Sequence, residues 1–131
     1  MHKIGRINPL KTILLLCDMQ EKFSKTILHF NEVVSTSIRV TEVAKLLQVP
    51  ILITEQYPRG ILFFVNFKTK ISAIYLLNSS GLGRTVPELK LKLLDTKVIE
   101  KTQFSMCTND LISSIKHLRP GNNKILINVI Y

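Results

Sequence analysis

The sequence is poor in cysteine, histidine and acidic residues, and each shortage closes off a class of protein. Two cysteines in 131 residues cannot build the disulfide framework of a small secreted domain. Cys17 lies inside an apolar run and Cys107 in a polar junction, so both read as free thiols of a reduced intracellular chain. The three histidines, His2, His29 and His117, stand at no ligand spacing, and no metal site is expected. The opening MHKIGRINPLK holds no apolar core of the signal-peptide type. A cytoplasmic location is expected, with a short basic mitochondrial presequence as the alternative. The longest apolar stretch, residues 61–77, is broken by Asn66, Lys68 and Lys70, which is too polar for a membrane span.

Nine acidic residues face eighteen basic ones, a net charge of +9. Such a balance invites a nucleic-acid reading. The basic residues are scattered, however. Their nearest approach to a cluster is Arg84, Lys90, Lys92, Lys97 and Lys101, with no aromatic residue between them. No zinc-finger, helix-turn-helix or RNA-binding signature accompanies them, so specific nucleic-acid binding is not expected. What is present in quantity is apolar sequence, 46% of the chain. Its runs recur from Ile13 to the C-terminus, which excludes intrinsic disorder and fits about one domain.

Residues 12–17, TILLLC, form a short continuous apolar run, the pattern of a strand buried on both faces. Asp18 follows at its carboxyl end. Val33, Val40, Val43, Ala44 and Leu47 then step by 7, 3, 1 and 3, which predicts a helix over residues 31–47 with that stripe inward. Pro50 ends it, and residues 51–54 read as a second buried strand. Strand, helix, strand is the βαβ unit of a parallel sheet, whose ligands collect at the carboxyl ends of the strands. Asp18 and Glu55 both stand at such ends.

Further along, Thr85-Val-Pro-Glu88 has the spacing of a capping box with proline in the first turn. Residues 98–100 make a short strand with Lys101 at its end. Leu111, Ile115 and Leu118 step by 4 and 3, an amphipathic helix closed by Pro120-Gly121. Residues 124–130, KILINVI, read as a last apolar strand.

Four runs then stand out in order: LLLCDMQEKF (residues 14–23), VPILITEQYPRG (49–60), LGRTVPEL (82–89) and EKTQFSM (100–106). Together they resemble the isochorismatase-like cysteine hydrolases, closest to the eukaryotic isochorismatase domain-containing proteins. The resemblance implies a three-layer α/β/α Rossmann-like parallel sheet, truncated at its C-terminus. It implies a catalytic Asp, Lys and Cys. Asp18 matches the base, and Lys101 the lysine that holds and polarises the site. The matching cysteine would follow the strand at 124–129, at a helix start where its thiolate is favoured. The sequence stops at Tyr131 without one, and neither Cys17 nor Cys107 stands at that position. Phe23 and Phe104 match substrate-pocket walls. Some relatives hold a metal after the second strand, but Glu55-Gln56-Tyr57 lacks that ligand pattern, so neither metal nor cofactor is expected.

Residues 61–81, ILFFVNFKTKISAIYLLNSSG, interrupt this pattern. Removing these 21 residues joins Gly60 to Leu82 and restores QYPRGLGRTVPEL, as the family would have it. A retained in-frame intron is the expected origin; a lid is the rival, although four large apolar residues at positions 63, 64, 65 and 67 favour aggregation over a soluble lid. One partial domain over residues 1–131 is therefore expected. Its function by resemblance is hydrolysis of a small molecule, with this chain inactive and poorly folded for want of the nucleophile. The alternative is a non-catalytic regulatory chain that pairs with a full-length homologue, and homo-oligomers are expected of full-length members.

Overall fold

A computed structural model describes residues 7–58 and 81–121, together with the backbone of a last strand at 126–130. The interrupting segment lies outside the described residues except for Gly81. In chain order the elements are β1 (Thr12–Cys17), α1 (Phe30–Leu46), β2 (Ile51–Gln56), the short α2 (Pro87–Lys90), β3 (Val98–Lys101), α3 (Asn109–Leu118) and β4 (Leu126–Ile130). Two 3-10 turns, Pro9–Lys11 and Glu21–Lys25, flank β1.

All strand pairs are parallel, and the sheet order is β3-β2-β1-β4. The unbroken apolar run of β1 is explained by its central place: all six of its residues are buried. Alternate side chains go to opposite faces. Leu14 and Leu16 meet Phe30, Val34 and Ala44 of α1, and Val86, Leu89 and Leu93 around α2. Ile13, Leu15 and Cys17 meet Leu52, Ile99, Met106 and Leu111, with Ile115 and Leu118 of α3 against them. Each fully buried aliphatic side chain contributes about 1.5–3 kcal/mol, so these two clusters hold helices on both faces. The result is the three-layer α/β/α architecture expected from the sequence.

Two local expectations are corrected. The inward stripe of α1 is Phe30, Val34, Ser37, Thr41 and Ala44, whereas Val40, Val43 and Leu47 are exposed. Two of the five inward residues are polar, so hydropathy places only Ala44 and the half-buried Val33 on the inward side. Their small side chains suit close approach to the sheet, and the Ser37 hydroxyl is satisfied within the helix by the Val33 carbonyl at 2.8 Å. The capping box at Thr85 does not form either. The N-cap of α2 is Val86, with no side-chain cap bond, because the Thr85 hydroxyl donates instead to Glu55 at 2.8 Å.

Candidate active site

The carboxyl ends of β1, β2 and β3 converge on one small set of polar side chains. Asp18 leaves β1 with φ +51°, a left-handed conformation that Asp tolerates better than most residues. Tyr57, leaving β2, has φ +42°, where a bulky residue is a true outlier. Strained positions of this kind persist only where the surroundings over-determine them. Here the Asp18 amide donates to the Thr54 carbonyl at 3.1 Å and the Tyr57 amide to the Lys101 carbonyl at 2.9 Å.

Lys101 closes β3 and is buried, as a solitary lysine seldom is. Its Nζ donates to Asp18 Oδ2 at 2.6 Å, and to the carbonyls of Gln103 and Phe104 at 3.1 Å each. Three acceptors use all three hydrogens of an ammonium group. The ion pair is 1% exposed on the lysine side and 11% on the aspartate side, so the carboxylate keeps a narrow face to solvent. Thr54, wholly buried in β2, donates through Oγ1 to Asp18 Oδ1 at 2.8 Å. Each oxygen of Asp18 thus has a fixed donor. Asp18 and Lys101 do not stand on neighbouring strands. β2 lies between them, and the long lysine side chain spans its end.

A second polar layer holds these ends together. Gln20 is fully buried. Its Nε2 donates to the carbonyls of Gln56 at 3.0 Å and Gly83 at 2.6 Å, while its Oε1 accepts from the Gln56 amide at 2.8 Å. Glu55 is buried too, and its Oε1 takes both the amide and the hydroxyl of Thr85 at 2.8 Å. Its Oε2 takes Arg84 Nη1 at 2.8 Å, and the same nitrogen reaches Glu100 at 2.6 Å. Hydrogen bonds from Glu55 and then Glu100 push the Arg84 guanidinium further above its ordinary range. Neither Thr54, Gln20 nor the Glu55–Arg84 pair was singled out for the site from sequence. Gln20 and Thr54 do stand inside the CDMQ and ITEQYP runs, and that was the available signal.

The remaining expected positions are placed differently. Phe23 is half-buried and packs on the α1 side of the core. Phe104 is 87% exposed, and it meets Lys101 through its backbone carbonyl. Cys17 is buried in β1; burial and then the neighbouring Asp18 charge push its thiol up to about 11. Cys107 is exposed, with its amide bonded to Ser105 Oγ at 3.1 Å. Among the described residues, no group of three or more His, Cys, Asp and Glu could hold a metal. No helix among them is long and apolar enough to cross a membrane.

The isochorismatase domain family model matches residues 12–127. The chain belongs to the isochorismatase family. Isochorismatase domain-containing protein 2 of Danio rerio is 38% identical over 98% of the chain, which spans 54% of that relative. Among solved structures, the MAR1 ribonuclease of Caenorhabditis elegans superposes with a TM-score of 0.68 at 34% identity, covering 95% of this chain and 53% of that one. A cysteine hydrolase from Pseudomonas syringae pv. phaseolicola 1448A shares the fold, with a TM-score of 0.65 at 18% identity, over 100% of this chain and 66% of the other. The chain thus spans about half the length of the curated relatives it matches.

Proposed function

We propose that these residues supply the aspartate and lysine of a cysteine-hydrolase site for a small molecule, and that the 131-residue chain alone does not turn over. The observation that carries this reading is the buried Lys101–Asp18 pair, 2.6 Å apart at the carboxyl end of the sheet. A thiolate nucleophile needs a carboxylate to manage its proton and a cation to favour its charge. Asp18 is the base, accepting through the face left open to solvent. Lys101 fixes that carboxylate by its 2.6 Å bond to Oδ2 and supplies positive charge beside it. Thr54 fixes the rotation of Asp18 by occupying its other oxygen. Neither cysteine present suits the nucleophile's role. At neutral pH a thiol held at about 11 is protonated, and Cys107 has no bond to Asp18 or Lys101 among the described residues. Phe23 and Phe104 are proposed as walls of the substrate pocket.

The test is a panel of small amides, carbamoyl compounds and vinyl ethers offered to the chain and to its Cys107→Ser variant. No turnover by either is expected. Turnover by the unmodified chain that disappears with Cys107→Ser would overturn the assignment.

A second reading is favoured by one comparison together with one property of the chain. The 34%-identical C. elegans protein is a ribonuclease, and this chain carries a net charge of +9. An RNA-directed member would bind single-stranded RNA with an affinity falling steeply as salt rises, in proportion to the phosphates contacted. Binding insensitive to salt, or none, removes that reading.

A further inference from the structure

The two chain ends that flank residues 61–81 are fastened to each other and to the site. The Leu82 amide donates to the Tyr57 carbonyl at 3.0 Å. Beyond Leu82 the chain is held at every step. The Lys22 amide donates to the Leu82 carbonyl at 3.3 Å, Gln20 Nε2 to Gly83, the Glu21 amide to Arg84 at 3.0 Å, and the Val86 amide to Met19 at 2.9 Å. Gln20 and Thr85 form an antiparallel bridge. Gly83, at φ +80°, lies so near Glu21 that an added Cβ would stand 3.1 Å from its carboxylate. On the other side, Tyr57 is tied to Lys101.

Twenty-four residues separate Tyr57 from Leu82, yet their backbone groups are already in hydrogen-bond contact. With residues 61–81 removed, three residues remain between them: Pro58, Arg59 and Gly60. The existing bond from the Leu82 amide to the Tyr57 carbonyl then becomes an i→i+4 bond, the closure of a single α-turn. Pro58 would occupy its second position, where a fixed φ near −65° is helical. Gly60 would occupy the exit, where a left-handed conformation is commonly required.

We propose that residues 61–81 are an insertion into a turn that closes without them, and that the strand ends bearing Asp18 and Lys101 keep their arrangement when the segment is deleted. This holds whether or not the site is a hydrolase site, because it concerns chain closure alone. Shortening the loop from 24 residues to three also lowers the entropic cost of closure, so deletion acts in the stabilising direction.

The experiment compares the 131-residue chain with a variant in which Gly60 is joined directly to Leu82. Thermal unfolding is followed by circular dichroism, and exchange of the Leu82 amide by NMR. A cooperative transition in the deletion variant, at or above the midpoint of the full chain, with the Leu82 amide protected, is the expected result. Loss of a transition that the full chain shows, or free exchange at Leu82, overturns the proposal. Should neither chain unfold cooperatively, the reciprocal insertion decides. The 21 residues are placed in the Danio rerio relative at the junction aligned with Gly60 and Leu82. A folded relative whose midpoint falls by several degrees supports the proposal, and a relative that no longer folds overturns it.

Discussion

Replacing Lys101 by methionine tests the buried pair at the centre of the site. Methionine keeps most of the aliphatic stem but removes the charge and all three donors. Asp18 would retain Thr54 as its side-chain donor, and the carbonyls of Gln103 and Phe104 would lose theirs. An exposed ion pair is worth at most about 1 kcal/mol, whereas breaking a buried one by removing a single partner costs about 3–5 kcal/mol. The exposures of 1% and 11% place this pair in the second class, nearer its lower end because the aspartate keeps some solvent. A loss of about 3 kcal/mol corresponds to a fall of about 11 °C in the unfolding midpoint for a domain of this size. Urea titration is the assay, read as a shift in midpoint at constant slope. The double variant Asp18→Asn, Lys101→Met is expected to lose clearly less than the sum of the two single variants. A Lys101→Met cost below about 1 kcal/mol, or strict additivity, would show that the pair behaves as a surface pair and would refute the reasoning.

Cys17 supplies a pH test. Its folded-state pKa of about 11 lies above the ordinary 9.0, so its contribution to stability is complete below about pH 9 and lost as the pH rises through about 11. Relative to Cys17→Ala, the unmodified chain should therefore lose about 2 kcal/mol across that window, measured by urea unfolding at each pH; parallel curves would contradict the burial of this thiol. Gln20→Leu strands the amide of Gln56 and the carbonyls of Gln56 and Gly83, and a cost above about 2 kcal/mol is expected by thermal unfolding. If Thr85 acts through Glu55 rather than as a helix cap, a Thr85→Ala, Glu55→Gln cycle will show a coupling of about 1 kcal/mol or more; independent effects would restore the capping reading.

The parallel sheet was legible because its signal is strong and local. An unbroken apolar run at 12–17 can be buried on both faces only at the middle of a layered sheet, and β1 is found there. Asp18 and Lys101 were legible through the order of four short runs, not through periodicity, since a lone lysine at a strand end reads as a solvated one. Thr54 and Gln20 were hidden because their roles depend on contacts 36 and 63 residues away in sequence. The inward face of α1 was misread for a related reason. Ser37 satisfies its hydroxyl within the helix, so a polar residue can face the sheet at little cost. Thr85 was misassigned because a local cap competed with a buried carboxylate, and a charged acceptor makes the stronger bond.

The most direct measurement of the central claim uses the Danio rerio relative, of which these residues represent about half the length. The residues aligned with Asp18 and Lys101 are changed to Asn and Met, and kcat/KM is measured on a small molecule that the unmodified relative is first shown to hydrolyse in a screen of amides, carbamoyl compounds and vinyl ethers. Loss of a general base costs roughly 100-fold or more, so a fall of at least that size in each variant, with the fold retained by circular dichroism, is expected. Variants that remain folded and stay within about tenfold of the unmodified relative would show that the pair is structural, and would contradict its assignment as the working half of the site.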